Sequence, residues 1–164
     1  MRRVLRLYRP FAVALGIVLA GVALHPVADA VRGNDRAVFD DVAAAEATGA
    51  VSRGLAAVFS YEAGDVAATE RAAARVLRGA ALRQYRTLFG QVKRQAPEQR
   101  VTLVTRVVRA GVVSLSGDAA SVLVFLDQTA TRAGERAGTP AAAQLVVSAR
   151  RADGRWTIHE LRAV

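Results

Sequence analysis

The spacing of apolar residues changes along the first half of the chain. Residues 11–24 form an unbroken apolar run, FAVALGIVLAGVAL. From residue 35 onward, apolar residues instead recur at every third or fourth position, which is typical of helices with one buried face. This spacing predicts a first helix over residues 35–61, a second over 66–78 and a third over 80–95.

Turn and capping residues set the expected limits of these helices. Gly64 is expected to break the first, and Asp65 to cap the second by accepting from free backbone N–H groups. We expect Gly79 to end the second helix and Pro97 to stop the third, because proline has no amide donor. The predicted buried faces are Val38, Val42, Ala45, Val51, Leu55, Val58 and Phe59 in the first helix, and Leu82, Tyr85, Leu88, Phe89 and Val92 in the third.

The pattern beyond residue 100 favours strands, because valine and threonine become frequent and turn residues separate short runs. Four strands are predicted, over residues 100–114, 121–128, 144–150 and 155–162. The segments between them are predicted to be a turn at 116–118, a loop over 132–140 and a two-residue hairpin turn at 153–154. Gly111 is expected to form a bulge, and 121–128 to be a central strand, apolar on both faces.

Three helices followed by four meandering strands predict an α+β fold. In such a fold the helices pack on one face of an antiparallel sheet. The division of the chain is expected to be an arginine-rich flank and membrane segment over residues 1–31, and one extracytoplasmic domain over 32–164.

The first thirty residues predict delivery across a membrane. Four arginines and no acid precede the apolar run, which keeps the N-terminus cytoplasmic and sends the rest outside. Fourteen helical residues cover about 21 Å, short of the ~30 Å hydrocarbon core, and residues 28–30 (Ala-Asp-Ala) match a signal cleavage site. Apolar neighbours such as Val27 and Val31 could equally extend the run into an anchor. Cleavage after Ala30 and retention are therefore both open.

Composition and charge exclude several classes of site. The formal net charge is +9, of which the four N-terminal arginines supply +4 and the remaining 19 basic and 14 acidic residues +5. Basic and acidic residues alternate without interleaved aromatics, so no nucleic-acid partner is expected. The absence of cysteine excludes disulfides, a thiol nucleophile and cysteine-bound zinc. With His25 and His159 as the two histidines, no histidine metal site and no cofactor are expected.

Five titratable residues could in principle carry acid–base chemistry. They are Tyr61, Tyr85, Asp127, His159 and Glu160. Tyr85 is expected to be a core tyrosine, since it lies on the apolar stripe of the third helix, and Asp127 a rim carboxylate near a strand end. No phosphate-binding glycine loop or serine nucleophile elbow is present. We therefore assign no catalytic, cofactor-binding or metal-binding residue.

An ordered set of short motifs resembles a known family. The motifs are VFSY at 58–61 with Asp65 after it, LRQY at 82–85, AGVVS at 110–114, VLVFLDQT at 122–129 and DGRW at 153–156. In this order they resemble the Mce-associated membrane proteins of actinobacteria, whose domain is similar to the NTF2-like (SnoaL-like) fold. The resemblance covers roughly residues 10–164. The segment YEAGD at 61–65 departs from the family pattern, because it lacks the usual second aspartate.

The resemblance implies a function as well as a fold. It implies an uncleaved single-pass anchor and a non-enzymatic accessory or stabilising subunit beside an Mce-type lipid or sterol importer of the cell envelope. The implied partners are the membrane, the transporter subunits and a lipid or sterol. Two alternatives are a carrier that holds an apolar ligand in the cone between sheet and helices, and a SnoaL-like enzyme.

Overall fold

The computed structural model describes residues 41–164. The apolar run at 11–24, the cleavage question at Ala30 and the start of the first predicted helix lie outside this range. The elements are α1 (Asp41–Phe59), α2 (Val66–Val76), α3 (Gly79–Gln99), β1 (Val101–Ser116), β2 (Ala119–Arg132), β3 (Thr139–Ala152) and β4 (Arg155–Ala163). The predicted α+β order is confirmed. Within residues 41–164, no helix has both the length and the apolarity needed to cross a bilayer.

The four strands form one antiparallel meander in the order β1-β2-β3-β4. Gly117 turns the chain between β1 and β2 with a φ of 54°. Asp153 and Gly154, at φ 51° and 72°, form the predicted two-residue hairpin between β3 and β4. β2 and β3 are longer than predicted, because strand pairing continues through the alanine-rich and polar segments at their ends.

The bulges of β1 do not lie at Gly111, which pairs in register with Leu123. The register shifts instead between Val107 and Arg109 and between Val112 and Ser114. An extra residue at each place bends the strand and increases its twist. The expectation for Gly111 was therefore wrong, because the extra residues of the two bulges are Val108 and Val113.

The junction between α2 and α3 differs from the prediction. α2 begins at its expected cap, where the Ala68 N–H donates to Asp65 Oδ1 at 3.0 Å, but it ends at Val76. Leu77 then becomes extended and bridges to β4, and the Arg78 N–H donates to the Ile158 carbonyl at 2.7 Å. The strand thus supplies the acceptor that ends the helix.

Two predicted helix stops, Gly79 and Pro97, both belong to α3. Gly79, at φ 53°, is the first residue of α3 rather than the terminator of α2. The helix continues past Pro97 to Gln99 and ends at Arg100, which adopts a left-handed conformation with φ 52°. Because Pro97 lies in the last turn, its missing amide removes one helical hydrogen bond and the remaining turns persist.

The C-terminal half of the predicted buried face of α1 is correct, and Phe59 at its end is half-buried against the core. Val51, Leu55 and Val58 are buried, but Val42 is 67% exposed and Ala45 is also exposed. Helical spacing continues the buried face through Ala43 and Ala47, because small side chains four residues apart let the helix lie close to the sheet. The stripe of α3 is confirmed, with Tyr85 and Phe89 buried and Leu82, Leu88 and Val92 half-buried.

One face of the sheet packs on the helices. Inward residues of β2 are all buried: Val122, Val124, Leu126, Gln128 and Ala130. On the opposite face Phe125 remains 38% exposed and Asp127 is exposed. β2 is a central strand as predicted, since it lies between β1 and β3, but its second face is more exposed because the three described helices pack on the other one.

Candidate functional site

A small cavity lies between α3 and the inner face of the sheet. Its volume is about 40 Å³, room for about three water-sized groups. The lining residues are Val58, Phe59, Tyr61, Gln84, Tyr85, Leu88, Phe89, Val92, Leu103, Leu126, Gln128, Leu145 and Leu161. Every helix-facing strand and the end of α1 contribute, and the lining is predominantly apolar.

The side of the cavity formed by α3 marks its opening. Tyr85 and Phe89 are buried, whereas Leu88 and Val92 are half-buried and Gln84 is exposed. Since these residues follow one another at three- and four-residue spacing on one helix face, the exposed members border the way in from solvent.

Three aromatic rings form one wall of the cavity. Tyr85 and Phe89 stack with their centroids 5.0 Å apart and an interplanar angle of 15°, and Tyr61 meets Phe89 edge-on at 6.3 Å. The backbone of Tyr61 exchanges two 2.9 Å hydrogen bonds with Leu103 on β1. The wall is therefore held by both the helix and the sheet.

A chain of hydrogen bonds fixes the polar end of the cavity. Gln128 Nε2 donates to Thr105 Oγ1 at 2.9 Å, and Thr105 Oγ1 donates to the Phe59 carbonyl at 2.7 Å. The Thr105 N–H in turn donates to Ser60 Oγ at 2.9 Å. The last carbonyls of a helix lack intrahelical partners. Thr105 therefore supplies a hydrogen-bond donor to a carbonyl at the end of α1.

These hydrogen bonds also determine the orientation of the Gln128 side-chain amide. The single proton of the Thr105 hydroxyl is used on the Phe59 carbonyl, which can only accept. Thr105 Oγ1 must therefore accept from Gln128, and the amide nitrogen faces Thr105 while Oε1 faces elsewhere. Among residues 41–164, Gln128 Oε1 is buried without a hydrogen-bond partner.

The hydroxyl of Tyr85 is likewise buried without a hydrogen-bond partner in the part of the chain that the structure describes. Burial, and secondarily the negative charge of Glu70, raise the pKa of Tyr85 above its ordinary value. Burial also raises the pKa of Tyr61. Both phenols remain protonated at neutral pH, so Tyr85 offers a hydrogen-bond donor rather than a base.

The chemistry available to the cavity is that of hydrogen bonding and apolar contact. Its described lining holds tyrosine and glutamine as polar residues, with no carboxylate, imidazole, ammonium or guanidinium group. In residues 41–164, no group of three or more histidine, cysteine or acidic side chains is arranged to hold a metal ion.

The structure places the five titratable residues that the sequence suggested in different parts of the domain. Tyr61 and Tyr85 both line the cavity. Asp127 is exposed on the opposite face of the sheet, and it lies well inside β2 rather than near its end. His159 and Glu160 lie on β4 and are not part of the cavity lining.

The two candidates on β4 have structural surroundings of their own. His159 Nε2 lies 3.2 Å from Thr157 Oγ1. Burial, then the charges of Arg150 and Arg78, lower the pKa of His159, which favours the neutral ring. The exposed carboxylate of Glu160 lies 3.9 Å from Arg162 Nε.

Gln128 is the site residue that sequence reasoning missed. A signal was present, because Gln128 continues the alternation of Val122, Val124 and Leu126 and so belongs to their buried face. Its significance depends on Thr105, which lies directly opposite on β1.

The fold is similar to solved components of secretion systems. CagV of Helicobacter pylori, a VirB8 homologue of the type IV secretion system, superposes with a TM-score of 0.61 at 12% identity, over 73% of this chain and 97% of that one. An IcmL-like type IV secretion system protein of Legionella pneumophila superposes with a TM-score of 0.62 at 8% identity, over 73% and 91%. At such identities the likeness shows the fold alone, three helices on a four-stranded antiparallel sheet as in these VirB8-like proteins.

The sequence is closer to mycobacterial proteins, although no family model matches it. It is 34% identical over 156 residues to the outer membrane protein Rv1973 of Mycobacterium tuberculosis, covering 93% of this chain and 96% of that protein. The uncharacterized protein Rv1362c of the same organism is 33% identical over 126 residues, which is 76% of this chain and 57% of that protein. The chain belongs to the same family as Rv1973.

Proposed function

We propose that this protein is a non-enzymatic, membrane-anchored accessory subunit of an Mce-type lipid or sterol import system of the cell envelope. The relative Rv1973 carries the name of an outer membrane protein and matches nearly the whole chain, which supports a location in the envelope. The ordered motifs from residue 58 to residue 156 support the Mce association, because they are the features that resemble that family.

Solved proteins of the same fold support a role beside other proteins. CagV and the IcmL-like protein are named as parts of type IV secretion systems. In the proposed arrangement the N-terminus is cytoplasmic, the apolar run is retained as a single-pass anchor, and the domain lies outside. An anchor keeps the domain close to membrane-bound partners and so raises its effective concentration for them.

The size of the cavity is the observation that carries the accessory role over the carrier alternative. Pockets that enclose a small-molecule ligand measure about 300–1,000 Å³, whereas this cavity measures about 40 Å³. Leu126, Leu145 and Leu161, all buried, line it from the sheet side. A carrier that encloses a whole lipid is therefore disfavoured.

The lining of the cavity supports the absence of catalysis in the proposal. General acid–base chemistry needs a group whose pKa lies near the working pH. The ionisable residues of the described lining are Tyr61 and Tyr85, and burial moves the pKa of each further from neutrality. Asp127 and His159 are not among the residues that line it.

The test is a clean deletion in the native organism. We expect the abundance of the importer subunits and the uptake of a labelled fatty acid or sterol to fall together. The full-length chain should restore both, and residues 32–164 on an unrelated single-pass anchor should do the same if the domain makes the contacts. Unchanged subunit levels and uptake in the deletion strain would refute the transport role.

A further inference from the structure

The net charge of the domain is concentrated on one stretch of the chain. Residues 70–100, which include most of α2 and all of α3, carry eight basic and two acidic side chains. The rest of residues 41–164 carries nine basic and nine acidic side chains, so its charges balance. The entire net charge of the described domain therefore lies on two neighbouring helices.

Few of these positive charges are neutralised by neighbouring carboxylates. Lys93 pairs with Glu70 at 2.8 Å, which joins α3 to α2, and Arg71 lies 3.7 Å from Asp65. The arginines that form no ion pair within residues 41–164 include three on α3: Arg83, Arg86 and Arg94. Their guanidinium groups are available to an external anion.

These three arginines share one exposed face of α3, which we call the basic face. Arg83 and Arg94 are separated by about three helical turns, so they project in nearly the same direction about 16 Å apart along the axis. Arg86 lies about one turn from Arg83, on the same side of the helix. All three side chains are exposed. Like charges so close on a helix repel one another, so an anionic partner would relieve the repulsion.

The surroundings of the basic face lack the side chains on which protein interfaces are centred. Such interfaces have aromatic or large apolar anchors at their core. The large apolar residues that are exposed in the described chain lie on α1, β1, β2 and at the C-terminal residue, and none lies on α2 or α3. A layer of lipid headgroups needs no such anchor, because the summed charge of many phosphates attracts basic side chains.

From these observations we propose that the basic face rests on a membrane surface of anionic phospholipids, with its guanidinium groups donating to lipid phosphate oxygens. The contact stays at headgroup depth, because the exposed residues of α3 between positions 83 and 95 are all polar. This inference rests on the proposed function, in which the domain is anchored. The chain between the apolar run and α1, residues 25–40, spans at most about 55 Å, which keeps the basic face within reach of the same membrane.

The experiment places the full-length chain in nanodiscs of phosphatidylcholine, with or without phosphatidylglycerol. Because the chain has no cysteine, Thr87→Cys gives a single site for a fluorophore beside the basic face, and lipids with a headgroup nitroxide quench that fluorophore on contact. We expect strong quenching only in discs that contain phosphatidylglycerol, and its loss as salt shortens the Debye length from about 10 Å to about 3 Å. Thr129→Cys, on the exposed face of β2, is the labelling control and should remain unquenched in both discs.

Charge variants assign the contact to the basic face. Each of Arg83→Gln, Arg86→Gln and Arg94→Gln should lower the ratio of quenched to unquenched label about fivefold, the contribution of one basic residue near an anionic surface. The triple variant should erase the difference between the two discs. Glutamine is nearly as good a helix former as arginine, so the fold should be retained. The matched control has the same loss of charge through glutamine at three exposed arginines of the sheet: Arg106, Arg109 and Arg155. It should keep wild-type quenching.

Three results would overturn the proposal. These are equal quenching in the two kinds of disc, wild-type quenching in the triple variant of α3, and an equal loss of quenching in the control triple variant. Release of the contact by soluble polyglutamate at matched charge would overturn it in favour of an acidic protein partner.

Two features keep this test separate from that of the proposed function. If the apolar run does not insert into the discs, cosedimentation of the same variants with phosphatidylglycerol vesicles makes the same comparison. Unchanged importer subunits and uptake in the deletion strain would refute the transport role without altering the quenching result. The two failures are therefore distinguishable.

Discussion

Gln128 donates its side-chain amide to Thr105 Oγ1 at 2.9 Å from the directly opposed position on the neighbouring strand. Thr105 passes the connection on to the Phe59 carbonyl at the end of α1. One short chain of hydrogen bonds therefore joins the sheet to a helix terminus beside the cavity. The first prediction is about the loss of these hydrogen bonds.

Replacement of Thr105 by valine should lower the free energy of unfolding by about 1–3 kcal/mol, because Phe59 and Gln128 are both left with unsatisfied buried groups. Thr105→Ser, which keeps the hydroxyl, should recover much of the loss. Thr129→Val, on the exposed face of β2, is the matched control and should change stability by less than about 0.5 kcal/mol. Urea denaturation of the full-length chain in mild detergent measures all three. Equal losses for Thr105→Val and Thr129→Val would show that the hydrogen-bond chain does not contribute.

The raised pKa of Tyr85 predicts a specific sensitivity to alkali. Below pH 10 the phenol is protonated in both folded and unfolded chains and adds no pH dependence. Above the ordinary value of 10.0 the unfolded chain ionises first, so folded-state stability falls as pH rises, by up to about 1.4 kcal/mol per pH unit.

Tyr85→Phe removes this contribution. We expect the variant to be at least as stable as the wild type at pH 7, because it loses a buried hydroxyl without a partner among residues 41–164. It should also unfold at a higher pH in an alkaline titration followed by circular dichroism. Tyr61 is retained in both proteins, so its own raised pKa cancels in the comparison. Identical alkaline midpoints would argue against burial of the Tyr85 hydroxyl.

The cap of α2 is a local feature with a predictable contribution. Asp65→Ala removes the 3.0 Å bond to the Ala68 N–H and should destabilise the protein by about 1 kcal/mol. Asp65→Asn preserves an accepting oxygen and should destabilise the protein less than Asp65→Ala does. Thermal melting of the two variants side by side checks the order, and an alanine variant as stable as the asparagine variant would contradict it.

Asp127→Asn tests the assignment of no catalytic residue. Because Asp127 is exposed on the sheet face opposite the cavity, the variant should complement a deletion strain at wild-type level. Protein abundance must be measured in parallel by immunoblot. Loss of complementation at normal abundance would favour the enzyme alternative.

The N-terminal segment predicts an external C-terminus. Four arginines before residue 11 should hold the N-terminus in the cytoplasm. A reporter that is active only in the cytoplasm should therefore be silent when fused after Val164, and the full-length chain should resist extraction from membranes by carbonate. A mature N-terminus at Val31 in a carbonate-soluble protein would instead indicate cleavage after Ala30.

Much of the architecture was predictable because it depends on local rules. The change of apolar period near residue 100 separates helices from strands. Asp65 caps a helix wherever a helix begins beside it, and the pair Asp153-Gly154 adopts the positive φ angles that a tight hairpin requires. The stripe around Tyr85 and Phe89 also follows from helical geometry alone.

Helix limits were less predictable because distant segments compete for the same backbone groups. Leu77 leaves the helix to bridge Ile158, which lies far along the chain. Gly79 and Pro97 read as stops from local chemistry, yet both lie inside α3. The hydrogen bond from Arg78 to Ile158 ended α2 before Gly79. Pro97 did not stop α3, because it lies in the last turn of that helix.

The sequence by itself determined the fold class and placed Tyr85 on a buried face, because apolar periodicity depends only on the geometry of one element. Only the tertiary structure decided the site, because Thr105, Gln128 and Tyr85 lie on three different elements. The β1–β2 register sets Thr105 opposite Gln128, and that pairing fixes the amide orientation. The packing of α3 on the sheet then brings Tyr85 and Gln128 to the lining of the same cavity.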